Sequence, residues 1–376
     1  MYNNRIIRIG FSALFIILFA IAILWANNIE KIPLINSSGK TYAKAEILEI
    51  LSDNSAEQEG RAGTSRVKLK IESGEFKGEE LEAYSTHGYL YGASNEKGTK
   101  VLAVISESDG EKYVTVGGEY RINSIILIGI VFLGSICLLG RKRGVLAAVG
   151  LVFTIIAVIW LFLPLVYRGM SPFAAAVITC ALTTAVCMPL IGGITKKSAA
   201  AIISTVTGVV VAGLLAFLFG KLTGVSGYNV SEIDELMFIA SNTEIKADGL
   251  LFAGILIASL GAVMDVGMSV PSAIEELHRK RQELTVAELF KSGMNVGRDM
   301  MGTMSNTLIL AFAGTSINTL VTAYAYNYPA IYTMNLYSTC IEIIRGIAGS
   351  LGVIYTIPVA AAVAALFYGK KIRSNT

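Results

Sequence analysis

Long uncharged stretches alternate with short charged ones over most of the 376-residue chain. Apolar runs cover residues 10–26, 123–140, 144–166, 171–194, 198–220, 249–268, 301–325 and 343–368. A helix rises about 1.5 Å per residue, so each run is long enough, or nearly so, to cross about 30 Å of hydrocarbon. The pattern predicts an α-helical polytopic membrane protein of about eight transmembrane helices.

Residues 27–122 break the pattern. They hold 12 basic and 16 acidic residues, a net charge of 12 − 16 = −4, and no apolar span. Their apolar residues fall in short runs at 43–51, 65–71, 81–84, 101–105 and 112–116. Val67-Lys68-Leu69-Lys70-Ile71 alternates strictly, the pattern of a half-buried strand. Residues 95–98 and 106–110 read as turns. Five short strands in about 80 residues predict a small β-barrel, OB-like, which closes its own edges. The expected plan is an N-terminal anchor (1–26), a β-rich domain (27–122) and a seven-helix membrane domain (123–376) with a cytoplasmic segment at 269–298. A secretory signal is the alternative for the first run; the anchor is preferred because the run is long and Leu24-Trp25-Ala26 puts a bulky residue at the would-be cleavage site.

Composition supports a lipid environment: 53% of residues are apolar, 16% are charged and the mean hydropathy is +0.61. A net charge of +3 gives no support to nucleic-acid binding. Cys137, Cys180, Cys187 and Cys340 all fall in or beside apolar runs, which excludes a disulfide-stapled or cysteine-zinc β-domain. His87 and His278 lie on opposite sides of the expected membrane, so no metal site and no cofactor are expected.

The basic residues orient the helices. With a cytoplasmic N-terminus, fifteen fall inside: Arg5, Arg8, Arg141, Lys142, Arg143, Lys196, Lys197, Arg279, Lys280, Arg281, Lys291, Arg298, Lys370, Lys371 and Arg373. Four fall on or near outer connections: Arg168, Lys221, Lys246 and Arg345. Both termini are therefore expected in the cytoplasm and residues 27–122 outside. The outer connection 221–248 carries Glu232, Asp234, Glu235, Glu244 and Asp248, either a cation-attracting mouth or an ordinary solvated loop. Asn229-Val230-Ser231 matches a glycosylation triplet in form only.

Ionisable groups inside a membrane cost several kcal/mol unless paired or hydrated, so they point to function. Asp265 sits in an otherwise apolar helix and reads as a functional carboxylate, a structurally paired one or an interfacial one. In the next run Asp299, Thr303 and Asn306 are spaced four and three, on one face. Arg298 is placed to pair with Asp265, and Asn306 to hydrogen-bond within the bundle; the plainer reading makes Asp299 a helix-start residue favoured by the dipole. Glu342 and Arg345 are spaced for an intrahelical pair. Gly261, Gly302, Gly349 and Gly352 are expected at close helix contacts, and Pro358 at a kink. Within 269–298, Ser269 and Pro271 read as a helix start, and Ile274, Leu277, Leu284, Val286, Leu289 and Phe290 as amphipathic stretches lying on the membrane or meeting a partner. No phosphate loop, His-Glu-x-x-His, Gly-x-Ser-x-Gly or dinucleotide fingerprint occurs, and no enzyme is expected.

Three blocks carry a family resemblance. They are Gly-Ala-Val-Met-Asp-Val-Gly-Met-Ser (261–269), Val-Gly-Arg-Asp-Met-Met-Gly-Thr-Met-Ser-Asn-Thr (296–307) and Glu-Ile-Ile-Arg-Gly-Ile-Ala-Gly-Ser-Leu-Gly-Val-Ile-Tyr-Thr-Ile-Pro (342–358). The chain resembles the YibE/F family of bacterial multipass membrane proteins, and its β-rich N-terminal part looks like the longer, YibE-type members. The resemblance implies a bacterial cytoplasmic membrane and places motif residues at Asp265, Arg298, Asp299, Asn306, Glu342 and Arg345. It implies no reaction.

Three functions compete. The first is a membrane permease or permease subunit for a small solute or ion, with its polar site in the last three helices. The second is an envelope-associated scaffold or sensor whose outer β-domain binds a partner. The third is an intramembrane enzyme using Asp265 and Asp299 as a carboxylate pair. The bilayer itself, a second copy, a partner membrane subunit and an envelope ligand are the expected partners; nucleic acid is not.

Overall fold

A computed structural model of the chain describes residues 17–370 apart from 18, 35–38, 54–61, 89–91, 94–95, 109–110 and 230–232. Expectations for residues 10–16, Arg5, Arg8, Glu232, Lys371 and Arg373 lie outside the described residues. Two compact units form, one from Pro33 to Ser135, the other from the residues up to Ile32 and from Ile136 onward.

The first unit is a closed five-stranded barrel. Strands β1 (Lys40–Asp53), β2 (Ala62–Ile71), β3 (Glu80–Gly88), β4 (Lys100–Ser108) and β5 (Glu111–Glu119) pair in the order β1-β2-β3-β5-β4 and back to β1. All five expected apolar runs fall within these strands, and β4 runs three residues into the expected 106–110 turn. Alternation dictates the core: Ser65, Val67, Leu69 and Ile71 of β2 point inward, and Ile47, Val101, Ala103 and Ile105 complete the interior. Register shifts along β1 between Ile47 and Glu49 and between Ile50 and Ser52 give the strand extra bend, as closure of so small a barrel requires. Outside, Lys44 pairs with Glu72 and Lys68 with Glu80, both at 2.7 Å.

The second unit is helical. Helix α1 (Ile122–Ala157) spans the boundary between the units and leaves helical geometry at Arg141, φ 50° and ψ −133°. The break falls in the basic turn Arg141-Lys142-Arg143, between the runs expected as separate spans. A π turn at Val158–Phe162 and a short helix at Leu163–Tyr167 continue the chain. Then come α2 (Pro172–Gly192), α3 (Lys196–Thr223), a short helix at Ile233–Asn242, α4 (Leu250–Lys280), α5 (Val286–Thr315), α6 (Ile317–Ala325), α7 (Ala330–Asn335) and α8 (Tyr337–Tyr368). Among the described residues five helices are long and apolar enough to cross a membrane, or six if α5 and α6, bent by 59° at their junction, form one span.

The helical core is built on small residues. At Gly352 of α8 an added Cβ would lie 2.7 Å from the Ala212 Cβ and 3.1 Å from the Gly208 carbonyl oxygen of α3. At Gly349 it would lie 3.5 Å from Ser259 of α4 and 3.7 Å from Leu308 of α5. α8 thus packs against α3, α4 and α5 by close backbone approach, and it continues through Pro358 as one helix. Near the N-terminus, Arg168 donates to the carbonyls of Trp25 (2.5 Å), Ala26 (3.2 Å) and Asn28 (2.9 Å) and stacks over the Trp25 ring. It thereby satisfies carbonyls that a helix end leaves without partners.

The segment 269–298 is mostly helix. α4 passes through Ser269 and Pro271 without starting there, and α5 begins at Val286 with a capping box between Thr285 and Glu288. Arg298 and Asp299 consequently lie more than three turns inside α5, so Asp299 is not the helix-start residue that the dipole reading required.

Candidate functional site

α4 and α5 form a helical hairpin, since an added Cβ at Gly293 would touch the Ile274 side chain about equally far from the turn. From the helix ends, Asp265 sits about 22 Å and Asp299 about 20 Å along their helices from that turn. The hairpin therefore brings Asp265, Arg298 and Asp299 to a common level.

They do not pair there. Asp265, Arg298, Asp299 and Asn306 are all exposed on the flank of the unit. Arg298 donates a 3.4 Å hydrogen bond to Asn295, its own neighbour one turn back. Among the described residues, Asp265, Asp299 and Asn306 have no side-chain hydrogen bond or ion pair. The expected Asp265–Arg298 bridge is absent because helix rotation turns the two groups outward instead of toward each other. Gly261 and Gly302, expected at helix contacts, are exposed as well; an added Cβ at either meets nothing within 4 Å, nor at Gly254. Along each of α4 and α5 this leaves an exposed strip of small and polar residues where apolar ones would suit lipid.

Glu342 and Arg345 are brought together. Arg345 Nη1 lies 2.5 Å from Glu342 Oε1, on side chains 31% and 16% exposed respectively. The other carboxylate oxygen, Oε2, is buried without a hydrogen-bond partner. Glu342 is also among the residues that line a cavity of about 650 Å³ between the end of α5, α6, α7 and the start of α8. Ser316 and Thr339 also line it, and both hydroxyl oxygens are buried and unpartnered. Sequence reasoning had passed over Ser316 and Thr339; nothing in their local spacing sets them apart.

A third polar cluster joins the opposite ends of these helices. Lys197 Nζ is 3.1 Å from Glu275 Oε2, the Tyr368 hydroxyl donates to Glu275 Oε1 at 3.2 Å, and Lys196 Nζ donates to the Phe367 carbonyl at 2.9 Å. Read from sequence, Lys196 and Lys197 were topology markers; the structure makes them ties between α3, α4 and α8. No group of three or more His, Cys, Asp or Glu suited to a metal ion occurs among the described residues.

A bundle of long apolar helices with polar groups concentrated in α4, α5 and α8, joined to a small β-barrel, defines a polytopic membrane protein. The family model for YibE/F-like proteins matches residues 128–370, and the chain belongs to that family. No curated protein and no solved structure matches it.

Proposed function

We propose that this chain is a membrane permease, or one subunit of a permease, for a small solute or ion, with its polar path along α4, α5 and α8. The observation that carries the reading is the strip of Asp265, Arg298, Asp299 and Asn306, exposed and almost without intramolecular partners. Lipid tails cannot satisfy such groups, and charges in a span face a bundle interior or water. The strip is then one wall of a watered path, closed by a second copy or a partner membrane subunit. In this reading the chain lies in a bacterial cytoplasmic membrane with eight spans, both termini inside and residues 27–122 outside. The test is efflux of a pool of small solutes and protons from reconstituted vesicles. Asp265→Asn is expected to slow the transported species about ten-fold or more; flux indifferent to Asp265 overturns this mechanism.

One observation favours a second reading, an envelope-associated scaffold or sensor. Across the barrel wall Tyr42 is in register with Val104, Val104 with Thr115, and Thr115 with Tyr84. Tyr42, Tyr84 and the nearby Tyr113 are all more than half exposed. This is an aromatic surface that the strand pattern alone did not reveal, and exposed tyrosines suit partner binding. Crosslinking from Tyr84 to a reproducible envelope partner, abolished by alanine at the three tyrosines, would support it; loss of no partner would remove it.

A further inference from the structure

The cavity of about 650 Å³ between the end of α5, the two short helices α6 and α7 and the start of α8 falls in the size range of ligand sites. The 59° bend between α5 and α6 carries α6 off the line of α5 and leaves this space against α8. Ile309, Leu320, Ile343, Ile347, Tyr324 and Tyr328 are among its lining residues, and the surface that bounds the space is almost wholly carbon. Ser316, Thr339 and Glu342 also line it, but the two hydroxyl oxygens and Glu342 Oε2 are sealed off and contribute nothing to that surface.

The outer surface of α6 and α7 bears on what surrounds the cavity. No charged side chain occurs from Met300 to Ile341. Ile317, Val321, Ile331 and Met334 are each more than half exposed, and so are Tyr324, Tyr326, Tyr332 and Tyr337. The rings of Tyr326, Tyr328 and Tyr332 form one cluster, with successive centroids 5.6 and 4.8 Å apart. Exposed aliphatic side chains with no charge among them suit hydrocarbon, and tyrosines gathered beside them suit the boundary between hydrocarbon and head groups. Tyr328 belongs to the cluster and lines the cavity, so the cavity begins where the tyrosines gather.

Three fillings of the space compete. Left empty, it forfeits packing on every wall. Water needs several polar partners, which carbon walls do not offer. An apolar occupant remains, and beside a tyrosine-rich membrane boundary the apolar species at hand is a lipid tail. The hydrophobic effect gives a tail no preference for the cavity, since the surrounding tails are as apolar as leucine. The preference comes from filling the space, and the walls then hold one tail in place. We propose that the cavity is a lipid site that takes one acyl chain of a bilayer phospholipid, its tail against Ile309, Ile343 and Ile347 and its head group at the level of the tyrosine cluster. The site goes beyond the permease reading and stands without it.

The test uses the full chain in nanodiscs of phosphatidylcholine and phosphatidylglycerol, doped with phosphatidylcholine that carries a diazirine on one acyl chain. After photolysis the labelled residues are mapped by mass spectrometry. Labelling of Ile309, Ile343 and Ile347 is expected to exceed that of Val321 and Ile331, exposed apolar residues that do not line the cavity, by about ten-fold, as for a held tail against freely exchanging ones. Ala313→Trp and Ala330→Trp, at two walls of the cavity, are each expected to cut labelling of the lining by about five-fold or more and to leave Val321 and Ile331 unchanged. Retained labelling outside the cavity separates a filled site from a lost fold, and the wild-type ratio decides alone if both variants fail to fold. Equal labelling of lining and outer residues, or labelling of the lining undiminished in both folded variants, overturns the site. Cross-links between two copies through α6 and α7, in place of lipid on the lining, overturn it too by putting a second copy there. Preferential labelling without any solute flux keeps the site and removes the permease, whereas Asp265-dependent flux with even labelling does the reverse.

Discussion

Arg345 holds one oxygen of Glu342, a turn earlier on α8, at 2.5 Å and leaves the other buried and unpaired. The pair is half-satisfied, and the consequence is an asymmetry between its members. Removing Arg345 strands a carboxylate in an apolar wall, whereas neutralising Glu342 frees an arginine that is nearly one-third exposed. Arg345→Met should therefore lower stability by about 2 kcal/mol, less than for a fully buried pair. Glu342→Gln should cost about half as much, and the double variant less than the sum. Thermal unfolding of the detergent-solubilised protein and its variants checks the order.

The small-residue seams give a second contrast. Gly352→Val should cost about 3 kcal/mol or more, because the added carbons enter the space of Ala212 and the Gly208 carbonyl. Gly302→Ala meets open space and replaces a weak helix former, so it should be neutral or stabilising by up to about 1 kcal/mol. Yield and melting temperature distinguish the two; equal damage at both positions would contradict the packing described.

In the barrel, the hydrogen bond from Lys44 holds the Glu72 carboxyl below the ordinary glutamate range, and the one from Lys68 does the same for Glu80. The lysines are raised in turn, by Glu72 and Glu80 respectively. A carboxylate pKa lower in the folded than the unfolded state contributes stability that is complete at neutral pH and fades as pH falls through the folded value. The raised lysines contribute stability that fades as pH rises through theirs. Carbon-detected NMR titration should show Glu72 protonating below an ordinary glutamate, and Lys44→Met should move it back up.

The α4–α5 turn is fixed by Thr285. Its side chain accepts from the Glu288 amide at 3.3 Å, while the Glu288 carboxylate accepts from the Thr285 amide at 2.8 Å. Thr285→Ala should cost about 1 kcal/mol. Hydrogen exchange should show it as lost protection in the first turn of α5, with the rest of the helix unchanged.

The barrel was legible from the sequence because its signal is local: a period of two survives in every strand, and Val67 to Ile71 states inside and outside residue by residue. The apolar helices were legible for the same reason, and the break between the first two long runs fell at the expected Arg141. Helix ends between 269 and 298 were misread. Ser269 and Pro271 form a start signal, yet α4 runs through it, and the helices extend past their most apolar stretches into charged ones. The spacing of Glu342 and Arg345 sufficed to foresee their pair, which needs one helix alone. Asp265 and Arg298 belong to two helices, whose relative rotation is set by packing at positions such as Gly293 and Gly297 and is invisible in spacing. The Ser316 and Thr339 hydroxyls were invisible too, since only the bend between α5 and α6 brings them to the cavity.

The most direct measurement of the polar path is water accessibility along the strip, in a variant with the four native cysteines replaced. Single cysteines at Gly261, Gly302 and Asn306 should react in intact membranes with a small charged thiol reagent far faster than cysteines at Leu214 and Phe217, exposed apolar positions on α3. Labelling at the strip no faster than at Leu214 and Phe217 would place Asp265 and Arg298 against lipid or dry protein and contradict a watered path along α4 and α5.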